Sequence, residues 1–441
     1  MSDGSAVISK RAFHGKSVQL QQLCTAITDC HHSTPNWTES GRIVIRSENI
    51  KRGRISLKDV SYTDEATFQA RISRSLPEPG DLIVTREAPM GEVGMIPEDV
   101  QCCLGQRLVL VKPNPSEIDR HYLLYAMQSE FVQKQIRASD ETGSTVSNLR
   151  IPALKELLIP LLDRSEEIGA VLSVLDAKID LNNRINAELE ALAKTIYDYW
   201  FVQFDFPDAH GRPYKSSGGA MFWNDTLKRD IPAGWEARSL AELVTVSTAS
   251  VNPANEPDKL FKHLSIPIFD ESGSYAVEPG GAIGSNKFAV APHDLLVSKL
   301  NPWFNRVVAD TNNEHMICST EFVVWRCGDA VCQAYLNAIA THQRFITYCM
   351  QSASSTSHSH RRVNPQVMMR YKVPYRQSVA ERFGGLAKPL LAQRIRNTRE
   401  NRELTRLRDW LLPLLMNGQV RVASSSDAAS APAPEPLAEP A

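Results

Sequence analysis

The chain has 441 residues, 42% of them hydrophobic, with 49 basic and 50 acidic side chains and a net charge of −1. That length allows two or three domains with substantial cores, and the balanced charge gives no global sign of a nucleic-acid partner. No run approaches the ~18–20 uninterrupted apolar residues of a membrane span, so no membrane partner is expected.

The N-terminus, MSDGSAVISKRAFHGKS, lacks the apolar core of a secretory signal. Cys24, Cys30, Cys102, Cys103, Cys318, Cys327, Cys332 and Cys349 form no CxxC pair. Free thiols in a cytoplasmic protein are expected, and His31-His32 and His358/His360 are read as metal-free. Charge is instead local. Between Lys10 and Asp59, nine basic residues stand against four acidic, and Ala340 to Arg376 holds six basic residues and no acidic one. Such stretches are equally compatible with a solvated face.

Taken in chain order, the elements occur twice. Asp81-Leu-Ile-Val-Thr85 is a short buried strand entered through Pro79-Gly80. Arg107-Leu-Val-Leu-Val111 is a second strand, and Tyr122 to Ile136 has helical spacing. A Ser/Thr-rich loop, 142–148, leads to a short strand, Leu157 to Pro160. The spacing of Ile168, Leu172, Leu175, Ile179, Asn182, Ile185, Leu189, Leu192, Ile196 and Tyr199 predicts one helix from Ser165 to Phe201, about 55 Å long at ~1.5 Å per residue. Phe204 to Gly234 is a Pro/Gly/Ser-rich connector.

The series then repeats at an offset of 213–214: Asp294-Leu-Leu-Val-Ser298, Glu321 to Trp325, the helix Tyr335 to Met350, the loop 352–360 and the strand Tyr371 to Pro374. A second long helix carries Leu386, Leu390, Gln393, Asn397, Glu400, Leu404, Leu407, Leu411 and Leu414 in 4-3 alternation, a coiled-coil pattern. Both seams are polar at their midpoints, with Asn182, Asn183 and Asn186 in one and Gln393, Asn397 and Asn401 in the other. Those amides either pair in an antiparallel seam and fix its register, or they face solvent. Ala423 to Ala441 reads as a disordered tail.

The order and duplication of these elements resemble the specificity subunits of type I restriction-modification enzymes, over about residues 17 to 422. Ile231-Pro-Ala-Gly-Trp-Glu236 with Leu240-Ala-Glu-Leu243, the two Asp-Leu-(Ile/Leu)-Val strands, and Ile196 to Pro207 carry the resemblance. The first half departs from it by opening on Phe13-His-Gly-Lys-Ser-Val18. The resemblance implies an α+β chain: two mixed α/β target-recognition domains separated by two long helices packed as an antiparallel coiled coil. The expected organisation is a first recognition domain over 1–162, a spacer helix over 163–203, the connector 204–234, a second recognition domain over 235–376, a second helix over 377–420, and the tail 421–441. It further implies double-stranded DNA as ligand, methyltransferase and restriction subunits as partners, and helices that act as a ruler and a docking surface. S-adenosylmethionine, ATP and Mg would belong to those partners, with no cofactor and no catalytic site in this chain.

Base-edge readers and phosphate contacts are expected on loops. In the first half the candidates are His31, His32, Arg42, Arg46, Asn49, Arg86, Gln106, Arg107, Thr142, Ser144, Thr145 and Asn148. In the second they are Lys262, His263, Lys299, Asn301, Asn305, Arg306, Ser355, Thr356, His358, His360, Arg361 and Arg362. Asn301-Pro-Trp-Phe304 raises a different class, since it looks like the Asn-Pro-Pro-aromatic motif of DNA amino-methyltransferases, which hold a flipped base. Against it, Trp303 replaces the second proline, no glycine-rich cofactor loop follows a strand, and Asn301-Pro302 falls on Ala88-Pro89 at the repeat offset. A coiled-coil scaffold without DNA is the third reading.

Overall fold

A computed structural model describes residues 15–140, 147–353 and 360–422. The chain forms two compact units, one from the residues up to Lys178 together with those from Leu404 onward, the other from Ile179 to Glu403. The units divide inside the long helices, so neither helix is a body of its own.

In the first unit the strand Leu82–Thr85 is central, flanked by Leu108–Pro113 and Val93–Met95, with Cys24–Asp29 outside Leu108–Pro113. Side chains alternate across this sheet, and both faces are buried. Leu82 and Val84 point to a cluster with Tyr122, Leu123 and Val132 of the helices, while Ile83 points to one with Ile45, Cys102 and Leu104 of a second sheet. Three layers result: helices, central sheet, second sheet. A strand buried on both faces reads as a continuous apolar run, which is why Leu-Ile-Val stands out in the sequence.

The second unit repeats this plan. Asp294–Ser298 is central, between Phe322–Arg326 and Val307–Val308, with Thr245–Ser247 outside. Leu295, Val297, Val323 and Trp325 face the helices, and Leu296, Phe322 and Val324 face the second sheet. Removing the fully buried Trp325 side chain would cost about 3–5 kcal/mol. In both units the second sheet contains one parallel pair, Arg42–Ile45 with Cys102–Leu104 and Leu260–Leu264 with Met316–Cys318. The paired helices also recur: Arg120–Gln128 with Glu130–Ala138, and Ala330–Thr341 with Gln343–Ser352. Asp119 caps the first of these at the Tyr122 amide, and Asp329 caps its counterpart at the Val331 and Cys332 amides.

The first long helix runs Ser165–Tyr197 and ends in a π-turn over Asp198–Val202; the second runs Gln377–Met416. They pack antiparallel within each unit. In the first unit Ile168 and Leu172 share a core with Leu415 and Met416, and Asp176 meets Arg408 at 2.8 Å. In the second unit Asn182 meets Asn401 at 2.9 Å, Asn186 meets Asn397 at 2.9 Å, and Glu190 meets Arg394 at 3.3 Å. Asn182 is 1% and Asn397 4% exposed, so the midpoint amides are buried partners and not solvent-facing.

One expectation needs correction. Of the residues expected in the second seam, Asn397 is buried and Leu390, Leu404, Leu411 and Leu414 are half-buried, but Leu386 and Leu407 are exposed, while Val379, Phe383, Ala387 and Arg408 are buried on that helix. On the first helix Ile185, Leu192 and Tyr199 are likewise exposed. The polar midpoints that the spacing placed in the seams, Asn182 and Asn397, lie at its centre. The connector 204–234 has structure of its own. It contains a hairpin, Met221–Asn224 with Arg229–Pro232, and Phe204 and Phe206 are buried against Trp235 at ring distances of 5.6 and 5.1 Å. Among the described residues no helix is long and apolar enough to cross a membrane.

Candidate nucleic-acid interface

The same backbone node lies beyond the central strand of each unit. Arg86 donates its amide to the Arg107 carbonyl at 2.8 Å, and its own carbonyl accepts from Leu149 at 2.9 Å. Lys299 does the same with Glu321 at 3.0 Å and with Val363 at 2.9 Å. Leu149 and Val363 are buried and follow the Ser/Thr-rich loops, so in each copy that loop returns to one edge of the central sheet. Peptide groups at a loop return must find partners, and this pairing satisfies them.

In the first unit six candidates gather around Asp29. Its carboxylate accepts from both His32 at 3.1 Å and Arg86 at 3.0 Å. Arg86 also donates to the Leu149 carbonyl at 3.1 Å and to Asn148 at 3.3 Å. Gln106 donates to the His32 carbonyl, and Arg107, in a left-handed conformation at φ +66°, pairs with Glu87 at 3.1 Å. His31 is half-buried, and its Nε2 has no hydrogen-bond partner among the described residues. Burial, then the positive charges of Arg74 and Arg71, hold its pKa below the usual histidine value. Arg46 pairs with Glu48 at 2.8 Å and lies over the exposed Trp37 ring. Arg42 stands at the far end of its strand, bonded to Glu65 at 2.6 Å, and does not join the group.

Asn49 is consumed by the fold. It is 4% exposed, accepts from the Arg46 amide and donates to the Asp59 carbonyl. Arg86, a quarter or less exposed along with Asp29, likewise works as a brace between sheet and loop return.

In the second unit the gathering point is the turn after the central strand. Asn301 donates its amide to the Arg361 carbonyl at 2.7 Å and accepts from the Arg361 amide at 2.9 Å through Oδ1. Arg361 further donates to the Ala353 carbonyl at 2.9 Å, and Arg362 forks onto Glu321 at 3.1 and 3.2 Å. Lys299, Asn305 and the exposed His360 lie on the same two segments. Arg306 is 8% exposed and grips Asp270 at 2.6 and 2.7 Å, which makes it a buried anchor. Lys262 and His263 stay within the second sheet, Lys262 over Tyr275 and His263 bonded to Glu278 at 2.6 Å. Thr142, Ser144, Thr145, Ser355, Thr356 and His358 lie outside the described residues.

Sequence reasoning passed over three groups. Arg71 is buried and donates to the Leu104 and Ser33 carbonyls, pinning the loop that carries His31 and His32. Asp29 organises the first cluster but reads in the sequence as an ordinary strand-end acid. Trp303 and Phe304 were folded into the repeated turn, although their side chains are 40% and 58% exposed.

Residues 16–191 match the family model for the type I restriction modification DNA specificity domain. The chain is 24% identical over 389 residues, 83% of each chain, to the type I restriction enzyme MjaIX specificity subunit of Methanocaldococcus jannaschii. It is 27% identical over 183 residues, 40% of this chain and 42% of the relative, to the putative MjaX specificity subunit of the same organism. The type I restriction-modification S subunit of M. genitalium shares the fold, with a TM-score of 0.51 at 16% identity, covering 92% of this chain and 97% of that one. In sequence over most of its length, the chain is thus similar to the DNA specificity subunits of type I restriction-modification enzymes, and residues 16–191 match the DNA specificity domain of that family.

Proposed function

We propose that each unit reads one half of a bipartite site in double-stranded DNA, and that the chain directs methyltransferase and restriction subunits to it in the cytoplasm. The observation that carries this reading is the repeated node at Arg86 and Lys299. It brings the loop return, the turn after the central strand and a basic side chain to one place in each copy. Phosphate contacts fix register and base-edge contacts give sequence, and both need donors on anchored loops. His32, Arg46, Gln106 and Arg107 supply them in the first unit; Lys299, Asn305, His360, Arg361 and Arg362 supply them in the second. Asn49, Arg86 and Arg306 act on this surface through the residues they position.

In this reading the chain performs no chemistry, and S-adenosylmethionine, ATP and Mg serve the partner subunits. The exposed apolar residues Val174, Leu181, Leu192, Leu386 and Trp410 of the long helices suit protein partners. The methyltransferase alternative is weakened, because Trp303 stands where that motif has its second proline and the Asn301 Oδ1 already accepts one hydrogen bond from the Arg361 amide. The test is to exchange Trp235–Pro374 for the matching domain of another specificity subunit and map methylated bases in cells. One half of the target should change and the other stay. A change in both halves overturns the reading.

A further inference from the structure

The turns at Ala88 and Asn301 share a left-handed residue before proline, differ in the peptide bond that follows it, cis at Ala88-Pro89, and carry opposite tips. Ala88 has φ +45° and Asn301 φ +48°, each followed by proline. In the first unit the next residues are Met90, packed against the helical core, and Gly91. In the second they are Trp303 and Phe304, whose rings touch at 5.8 Å and remain 40% and 58% exposed.

This aromatic tip is held stiffly. Pro302 beneath it is buried, and both flanking asparagines, Asn301 and Asn305 at φ +46°, are left-handed. Such a conformation is disfavoured for residues other than glycine, least so for asparagine, and persists where the surroundings over-determine it. Here they do. The two-way bond between Asn301 and Arg361 closes one side, while the Arg306 guanidinium, fixed by Asp270, lies 4.5 Å from the Phe304 ring centre on the other. The fold therefore holds two large apolar rings toward water with a strained backbone and an arginine that is buried although its carboxylate partner is 46% exposed. Asp270 and Glu321, the carboxylates at the turn, are each paired with an arginine, so Lys299 and Arg361 leave the surroundings net positive.

We propose that Trp303 and Phe304 form a wedge that enters one base step of the DNA read by the second unit and partly unstacks it. This rests on the DNA-reading function above. Positive surroundings hold the phosphates, and the rings replace the stacking that the opened step loses. The first unit, with Met90 and Gly91 at its tip, reads its half-site without opening it.

The test uses the full chain with its methyltransferase subunits, on duplexes of the mapped target carrying 2-aminopurine or pyrrolocytosine at successive positions. Binding should raise fluorescence at one step of the second half-site and at none of the first. Changing Trp303→Ala and Phe304→Ala together should abolish that rise and weaken binding about tenfold, which corresponds to ~1.4 kcal/mol. Trp303→Phe keeps a ring and should keep the rise, which separates loss of the wedge from loss of folding. A rise that persists in the double variant overturns the wedge, as does a silent second half-site under specific binding. Failure of the unaltered complex to prefer its target over competitor DNA overturns the DNA-reading function itself.

Discussion

Asp294, fully buried at the start of its strand, accepts a hydrogen bond from Arg326 Nε at 2.7 Å. The first unit repeats the pair as Asp81 and Lys112 at 2.9 Å. Both carboxylates also close the turn before them, Asp294 accepting from the Ala291 amide at 2.7 Å and Asp81 from the Glu78 amide at 2.9 Å. The job shared by the two copies is to start the central strand. The cation can be lysine or arginine, because it need only reach one carboxylate at the sheet edge.

Asp294→Ala should destabilise the protein by about 1–3 kcal/mol, since it strands a turn amide and removes a charged acceptor. Arg326 is 39% exposed and can turn to solvent, which keeps the cost below that of a fully buried pair. Burial, partly offset by the Ala291 amide and Arg326, raises the Asp294 pKa above its ordinary value. The folded state therefore holds this proton to higher pH than the unfolded chain. Its contribution grows as pH falls through the raised value toward the ordinary carboxylate range, the reverse of a typical paired acid. Thermal unfolding of wild type and Asp294→Asn from neutral to mildly acidic pH should show the difference moving in favour of wild type. A difference that moves the other way contradicts the assigned shift.

Glycines in the long helices give a prediction in which two effects oppose. A Cβ on Gly169 would stand 2.7 Å from the Tyr122 amide, at the capped start of its helix, and one on Gly384 would strike the Val331 carbonyl. Gly385, one residue on, has nothing within 4 Å. Helix propensity alone favours alanine by about 1 kcal/mol at each position. Gly385→Ala should therefore raise the melting temperature, whereas Gly384→Ala and Gly169→Ala should lower it, because backbone cannot retreat cheaply. Equal shifts for Gly384 and Gly385 would sink the close-packing argument.

The buried amides of the seam make a third. Replacing Asn182 and Asn397 together by leucine removes two buried polar side chains while Asn186, Glu400 and Asn401 remain able to reach water. The seam should gain stability and lose its unique register, as polar seam positions trade one for the other. The check is a raised melting temperature together with extra species in native mass spectrometry. A single species of raised stability would show that register is fixed elsewhere.

Much of this was legible in the sequence because both faces of the central sheets are buried. Leu82-Ile-Val and Leu295-Leu-Val could only be core, and their repetition at a fixed offset exposed the duplication. The seam was less legible. Spacing put Asn182 and Asn397 in it but left open whether they pair or face solvent. It ranked Leu386 and Leu407 beside them, although both are exposed, and gave no sign of Arg408. Periodicity of apolar residues carries no information on which polar side chains find partners. The site was harder still. Residue type suggested Arg86, Arg306 and Asn49 as readers of DNA, but partners distant in sequence, Asp29, Asp270 and Asp59, hold them inside the fold. Trp303 and Phe304 stood out in the sequence only as part of a methyltransferase-like motif, and the repeat offset placed them at a turn without saying where their side chains point.

The segment Arg361-Arg362 carries the fourth prediction, and its structure separates two residues that the sequence treats alike. Arg361 is exposed and holds the Ala353 carbonyl, while its backbone, not its side chain, clasps Asn301. Arg361→Ala should therefore leave the turn in place. If that guanidinium meets a phosphate, the slope of log binding constant against log salt should fall by about 0.9, the share of one contact on B-DNA. Arg362 is forked onto Glu321, so its charge is already partly spent. Arg362→Ala should cost more affinity than Arg361→Ala, because it also leaves the Glu321 carboxylate unpaired beside the DNA backbone. Glu321→Gln should do the opposite and tighten binding, most at low salt, by freeing Arg362 and removing a repelling charge. The measurement is a salt series of DNA affinities for the three variants and the parent. If all four lines superimpose, this segment does not face DNA, and the second unit must read its half-site with a different edge.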